Sequence, residues 1–280
     1  MPFAGLNPHR TFAGQRWLAG DEELRNDAVA EETPVALLFD GQPHVVMMAS
    51  PQDLEDFALG FCLSEGLLAG PDDLLALEVL THPEGIALQL ACRPGALPDL
   101  GERRRNLTGR TGCGLCGAET LAQAVRAPRP VGAGVTLTAQ ALQAALAALG
   151  AAQPLNAITG AVHAAAWCSV AGEVLLVRED VGRHNALDKL IGALARQGLD
   201  PAAGFLLLTS RASYELVLKA SMVGITTVLA VSAPTGLAIR MADEAGITLV
   251  AFARTGRHTI YTHPDRLQPL SAVEQPAVLP

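Results

Sequence analysis

Short apolar runs alternate with amphipathic segments through the second half of the chain. The pattern predicts strands at 162–170, 173–179, 204–209, 227–231 and 248–253, and helices at 138–149, 185–196, 213–223 and 237–245. Because strands that alternate with helices join through right-handed crossovers, we expect a largely parallel sheet and an α/β fold class.

The first half carries a different pattern, with a hairpin signal, one helix and further strands. Asp40-Gly41 lies between two apolar runs and is typical of a hairpin turn. Ser50-Pro51 predicts the start of a helix, with Ser50 as its N-cap. The strands expected here lie at 35–39, 44–48, 76–80 and 86–92.

A stretch rich in glycine and proline at 93–117 interrupts both patterns and predicts a long loop at a domain joint. We therefore divide the chain into four segments. They are an irregular arm at 1–33, a small domain at 34–117 that ends in the cysteine loop, an α/β domain at 118–266 and a loose tail at 267–280.

Composition narrows the function classes. Half of the 280 residues are hydrophobic and 17% are charged, which is typical of a folded protein. The net charge of −8 gives no basic footprint for duplex nucleic acid, although it leaves room for a local basic pocket. No apolar run is long enough to span a membrane, and the first twenty residues lack the apolar region of a signal peptide. We expect a cytoplasmic protein with reduced thiols.

Cys113 and Cys116 form a Cys-x-x-Cys pair among glycines within the long loop. Glycines leave little bulk over the sulfur atoms, and the arginines at 103–105 favour the reactive thiolate. A second thiol three residues away suits the resolution of a persulfide or a mixed disulfide. The pair also fits half of a zinc site. These residues favour sulfur or redox chemistry over structural zinc.

Polar residues follow several predicted strands, where ligands bind in open α/β sheets. They are Ser210-Arg211, 232–236, 254–258 and 180–184. Helix N-termini, hydroxyl groups and arginines together predict a site for a phosphorylated, nucleotide-like ligand. Each residue also has an ordinary interpretation. Ser210 fits a helix cap, Arg183 fits a partner of Glu179 or Asp188, and Lys189 and Lys219 fit solvated helix faces.

Several of these segments, in order from about 34 to 266, resemble the formate dehydrogenase accessory sulfurtransferases, the FdhD family. The matching segments are 45–51, 57–61, 112–117, 159–165, 179–189, 209–211 and 232–235. The resemblance implies a small α+β N-terminal domain and a C-terminal α/β/α domain similar to cytidine deaminases.

The resemblance also implies an activity. A cysteine desulfurase passes sulfur to the carrier, which delivers it to a molybdenum bis(guanine dinucleotide) cofactor before the cofactor enters formate dehydrogenase. Cys113 is then expected to hold the persulfide, with Cys116 assisting, and a homodimer is expected. The guanine dinucleotide is expected at Phe252, Ala253, Arg254, Thr255, Gly256 and Arg257, beside Ser210 and Arg211.

Two other functions compete with this one. A binding chaperone would hold the molybdenum cofactor without sulfur transfer and would use the cysteines to bind zinc. A deaminase-like hydrolase would need a glutamate after its zinc-binding histidine, but His163 is followed by Ala164-Ala165. The resemblance in fold therefore does not imply deaminase activity.

Overall fold

The computed structural model describes residues 5–98 and 126–268, and the chain divides into two compact units. The first unit comprises Met1–Ala127, Gln153–Ala165 and Val177–Leu199. The second comprises Pro128–Ala152, Ala166–Leu176 and Asp200–Pro280.

Twelve strands and six α-helices lie in the described part of the chain. The strands are β1 (His9–Leu18), β2 (Asp21–Ala30), β3 (Thr33–Phe39), β4 (Gln42–Ala49), β5 (Leu74–His82), β6 (Gly85–Cys92), β7 (His163–Cys168), β8 (Val174–Asp180), β9 (Phe205–Leu208), β10 (Thr227–Ala230), β11 (Thr248–Arg254) and β12 (Arg257–Ile260). The helices are α1 (Leu54–Ser64), α2 (Ala139–Leu149), α3 (Pro154–Thr159), α4 (Arg183–Arg196), α5 (Tyr214–Met222) and α6 (Gly236–Ala245).

The first unit contains a four-stranded sheet in the order β4-β3-β6-β5. Strand β3 runs antiparallel to β4 and parallel to β6. Val35, Leu37 and Phe39 alternate with less buried residues along β3, as expected for a strand with one face on a core. This face belongs to the same apolar core as Phe57 and Phe61 of α1, as the apolar spacing of that helix predicts.

Helices α1 and α4 cross within the first unit at two glycines. A Cβ atom added to Gly60 would lie 1.7 Å from the carbonyl oxygen of Asp188, and one added to Gly192 would lie 1.9 Å from that of Asp56. The close approach of the two backbones therefore requires glycine at both positions.

The six-stranded sheet has the order β12-β11-β10-β9-β7-β8. Strands β9, β10 and β11 are parallel, and β11 is antiparallel to β12. Thr138 caps α2 and Thr235 caps α6, each by accepting a hydrogen bond from a backbone N–H in the first turn. The predicted α/β class is confirmed, with its parallel part at β9–β11.

In the second unit, Arg266 hydrogen-bonds to three separate segments of the chain. Its guanidinium donates to the carbonyl oxygens of Gly132 at 2.9 Å, Ala133 at 2.5 Å and Gly246 at 2.7 Å. It also donates to Thr248 Oγ1 at 3.1 Å. One planar cation thereby joins the segment before α2, the end of α6 and the start of β11.

Two local predictions were wrong. The charged stretch before Thr33 is not irregular, because β1 and β2 pair as an antiparallel hairpin over His9–Ala30. Helix α1 begins at Leu54, after Asp53, because Ser50 bonds to residues of β8 and the following turn instead of capping the helix. The four predicted segment boundaries stay a prediction, and the predicted joint at 117–118 lies outside the described residues.

We predict that Gly60→Ala lowers the free energy of unfolding by about 3 kcal/mol, the upper end of the range for overpacked cores. The added methyl meets backbone atoms of α4 that no side-chain rotation can move. Gly70→Ala is the matched control, because nothing lies within 4 Å of its added Cβ and its φ is −159°. Equal urea midpoints for the two variants would contradict the close approach of α1 and α4 at Gly60.

Candidate functional site

The three described cysteines are poor candidates for sulfur chemistry. Cys62, Cys92 and Cys168 have buried side chains. Burial raises the pKa of Cys92 to about 11, with the charges of Asp40 and Asp73 adding to the effect, and burial raises that of Cys168 to about 12. Both therefore stay protonated near neutral pH, and the thiolate is the nucleophilic form.

The predicted dithiol lies outside the described residues. Cys113 and Cys116 both fall within 99–125, so their assignment as site residues rests on the sequence. The other three cysteines are the described ones, and all three are buried.

The parallel strands bring the predicted anion-binding segments of the second unit together. Ala212 N–H donates to the carbonyl of Ala233 at 3.2 Å, and Thr235 N–H donates back to the carbonyl of Ala212 at 3.0 Å. Phe252 N–H donates to the carbonyl of Ser232 at 3.1 Å. The segments after β9 and β10 and the end of β11 thus form one continuous edge, which we call the carboxyl edge.

Ser210 and Arg211 have different positions on the carboxyl edge. The hydroxyl of Ser210 donates to the carbonyl of Arg211 at 3.1 Å, and Ser210 is buried. Arg211 is exposed. Arg211 is therefore the member of this pair whose side chain reaches solvent.

The β11–β12 turn carries the rest of the predicted nucleotide site. A bulge lies between Ala251 and Arg254, and within it Phe252 has a φ of +52° and is 47% exposed. Positive φ is rare for a bulky residue, and such strain concentrates at functional sites. Ala253 is buried, whereas Arg254, Thr255, Gly256 and Arg257 are exposed.

Arg254 is held against the carboxyl edge by its own guanidinium. Its Nη1 donates to the carbonyl of Val231, the residue after β10, and to that of Ala253 at 2.8 Å. Arg257 is the residue opposite Arg254 in the antiparallel pairing. Two exposed cations and an exposed aromatic ring thus lie along one short turn, which suits an anion that carries a planar ring.

Gln143, which no sequence signal marked, contacts the same turn from α2. Its Oε1 accepts a hydrogen bond from Gly256 N–H at 2.8 Å, and its Nε2 lies 3.3 Å from Nδ1 of His258. Burial lowers the pKa of His258 below its ordinary value. Helical spacing alone does not distinguish Gln143 from a solvated polar residue.

The fourth predicted segment, after β8 in the first unit, is organised around a buried ion pair. Asp180 and Lys189 are both fully buried, with Lys189 Nζ 2.7 Å from the carboxylate. Asp180 also accepts hydrogen bonds from Ser50 N–H at 2.9 Å, Gly182 N–H at 2.7 Å and Asn185 Nδ2 at 3.0 Å. Its carboxylate thus lies at the start of α4, where the sequence suggested a ligand anion.

The prediction that Lys189 and Lys219 lie on solvated helix faces is wrong. Lys189 balances the buried charge of Asp180 and donates to the carbonyl of Ser50 at 2.9 Å, and Lys219 is 6% exposed. A buried carboxylate without a cation would be costly, which is the physical reason that Lys189 turns inward.

The neighbouring motif residues serve the same unit. Glu179 accepts hydrogen bonds from Leu155 N–H at 2.9 Å and Asn156 N–H at 2.8 Å, at the start of α3. Asp188 accepts one from Ser64 Oγ at 2.5 Å. Glu179 thus binds the start of α3, and Asp188 binds Ser64 of α1.

Within residues 5–98 and 126–268, no group of three or more His, Cys, Asp or Glu side chains is placed to hold a metal ion. Among the same residues, no helix is both long and apolar enough to cross a bilayer.

The fold is shared with a solved structure, and the family follows from sequence. A crystal structure from Desulfotalea psychrophila, provisionally described as a formate dehydrogenase accessory protein, matches with a TM-score of 0.72. It is 22% identical and covers 94% of this chain and 100% of that one, which shows the fold.

Relatives of much higher identity are known. One from Cupriavidus necator is 54% identical over 260 residues, covering 93% of this chain and 90% of its own. One from Xanthomonas euvesicatoria is 51% identical over 263 residues, 94% of each chain. Both are named sulfur carrier protein FdhD. The FdhD/NarQ family model matches residues 30–268, and the chain belongs to that family.

We predict that Lys189→Met lowers the free energy of unfolding by about 3 kcal/mol or more, because it leaves the buried Asp180 carboxylate without its cation. Urea denaturation measures the loss. Arg240→Met, which removes an exposed cation from α6, is the control and is expected to change stability little. The double variant Lys189→Met/Asp180→Asn removes the stranded charge and keeps an oxygen that accepts from Gly182 and Asn185, so it should be more stable than Lys189→Met alone. A less stable double variant would contradict this account.

Proposed function

We propose that this protein is a sulfur carrier that holds sulfur as a persulfide on Cys113 and delivers it to the molybdenum cofactor of formate dehydrogenase. Membership of the FdhD/NarQ family and the name carried by its relatives support the proposal. The observation that carries it is the contrast among the cysteines. Those described are buried, two of them with a high pKa, whereas Cys113 and Cys116 lie among glycines and near arginines in the sequence.

The first transfer needs a thiolate and a donor persulfide. The Cys113 thiolate attacks the terminal sulfur of a cysteine desulfurase persulfide, forming a new S–S bond as the donor's S–S bond breaks. The donor cysteine leaves as a thiolate, so no external oxidant or reductant is required. This is sulfurtransferase chemistry, and its dependence on thiolates fits a reducing cytoplasm.

Cys116 gives the second transfer a route. Its thiolate attacks the Cys113 sulfur, and the terminal sulfur leaves as hydrosulfide toward the molybdenum centre. A disulfide between Cys113 and Cys116 remains, and a cellular dithiol restores both thiols by disulfide exchange.

The carboxyl edge is the proposed site for the guanine dinucleotide part of the client cofactor. Phe252 offers an exposed ring for base stacking, and Arg254 and Arg257 offer charge to the phosphates. Arg211 adds a third exposed cation. The other proposed site residues are Ser210 and Ala253, which are buried, and Thr255 and Gly256, which are exposed. Guanosine diphosphate contains both recognised parts and is the simplest probe.

We also propose a homodimer and a direct encounter with formate dehydrogenase, as the family resemblance implies. The alternative is a chaperone that binds the cofactor without sulfur transfer and whose cysteine pair binds zinc. The two functions differ in what Cys113 carries after exposure to a desulfurase.

We predict that a cysteine desulfurase with cysteine adds one sulfur atom to Cys113, and that Cys113→Ala abolishes both this adduct and formate dehydrogenase activation. Intact-protein and peptide mass spectrometry locate the adduct. Cys168→Ala is the control, because it removes a buried, high-pKa thiol and should leave the adduct intact. Stoichiometric zinc and no adduct on the wild-type protein would favour the chaperone instead.

We predict that Arg254→Ala/Arg257→Ala binds guanosine diphosphate at least about tenfold more weakly, because charged hydrogen bonds to phosphate are lost. Isothermal titration calorimetry measures the affinity. Arg16→Ala/Arg25→Ala removes the same charge from exposed positions on the β1–β2 hairpin and should bind like the wild type. Unchanged binding by the Arg254/Arg257 variant would exclude this turn as the nucleotide site.

A further inference from the structure

We propose that Gln143 is a positioning residue that fixes the β11–β12 turn so that Arg254 and Arg257 face a bound nucleotide. The inference rests on the proposed nucleotide site. Gln143 lies outside all the segments from which the sequence predicts that site. Gln143 acts through the turn and needs no contact with the ligand.

The contact joins two distant parts of the second unit. Gln143 lies in α2, 113 residues before Gly256 in the sequence. Both its amide oxygen and its amide nitrogen contact the turn. Oε1 accepts from Gly256 N–H at 2.8 Å, and Nε2 lies 3.3 Å from His258 Nδ1. Gly256 immediately precedes Arg257, so the amide holds the backbone between the two arginines.

The tip of the turn lies beyond the hydrogen bonds that Arg254 makes to the carboxyl edge. Thr255 and Gly256 are exposed, and Gly256 has a φ of +76°, which glycine adopts without strain. The register also shifts on the β11 side, between Ala251 and Arg254. A short exposed hairpin beside a bulge is weakly determined by its own pairing, so an external hydrogen bond to its tip restricts it.

Helix α2 is a rigid base for that hydrogen bond. Leu142, the neighbour of Gln143, is fully buried, and Ala145 two residues on is also fully buried. Thr138 caps the helix by accepting from Ala141 N–H at 3.0 Å. The amide is therefore presented from an element that the core holds in place.

The chemistry of the amide also fixes the state of His258. A backbone N–H only donates, so Gly256 requires Oε1 of Gln143 on its side and directs Nε2–H toward His258. Nδ1 of His258 must then accept, which places the imidazole proton on Nε2. Burial favours this neutral ring by lowering the pKa of His258.

The first test is Gln143→Met, which keeps the length of the side chain and removes both polar contacts. We expect guanosine diphosphate to bind about 3- to 10-fold more weakly, the effect of one lost hydrogen bond of ordinary strength. The unfolding midpoint and circular dichroism establish that the variant is folded. Gln197→Met, the same change at the exposed end of α4 in the other unit, should bind like the wild type.

The second test reads the imidazole directly and needs no nucleotide. Nitrogen-15 NMR of His258 should show the proton on Nε2 in the wild type and a mixture of tautomers in Gln143→Met. Gln143→Glu keeps an acceptor for Gly256 but offers no donor, so the proton should move to Nδ1. A tautomer that ignores both substitutions would overturn the inferred contact.

The two proposals fail in different ways. If the wild type does not bind guanosine diphosphate, the nucleotide site is wrong, and the positioning role falls with it. If the wild type binds, the Arg254/Arg257 variant does not, and Gln143→Met binds normally, then only the positioning role is overturned.

Discussion

The ion pair between Asp180 and Lys189 is the interaction on which the first unit depends. Both side chains are fully buried, and the carboxylate also accepts hydrogen bonds from Ser50, Gly182 and Asn185. It thereby ties the end of β8 to the segment after β4 and to α4. A pair placed this deeply stabilises little by itself, but the loss of either partner strands a charge.

The composition makes the choice of lysine informative. The chain has 20 basic residues, and only Lys189 and Lys219 are lysines. Within 5–98 and 126–268 no arginine is buried, whereas both lysines are. Lysine carries a compact charge on a slender stem, and Lys189 directs it at both the Asp180 carboxylate and the Ser50 carbonyl. The broad planar fork of arginine would need more room at that position.

The second unit keeps its arginines where they reach solvent. Parallel pairing of β9, β10 and β11 gathers the residues that follow them at the carboxyl edge, and the β11–β12 turn extends from it. The residues of that turn are polar or strained, and Gln143 restricts them from outside. The functional proposal thus places the recognition of a nucleotide on a fixed scaffold, while sulfur is carried on a cysteine pair that the chain supplies elsewhere.

The sequence by itself determined the α/β class, most of the strands and helices, and the segments that carry the family resemblance. Apolar periodicity and cap residues such as Thr138 are local signals. They predict the elements correctly because every fold buries apolar faces and must satisfy the free N–H groups at helix starts. The tertiary structure alone decided which polar residues turn inward. Lys189 and Gln143 occupy helical positions that are typical of solvated side chains, but Asp180 and Gly256 lie opposite them. Their partners are distant in sequence, and no local pattern records such a partner.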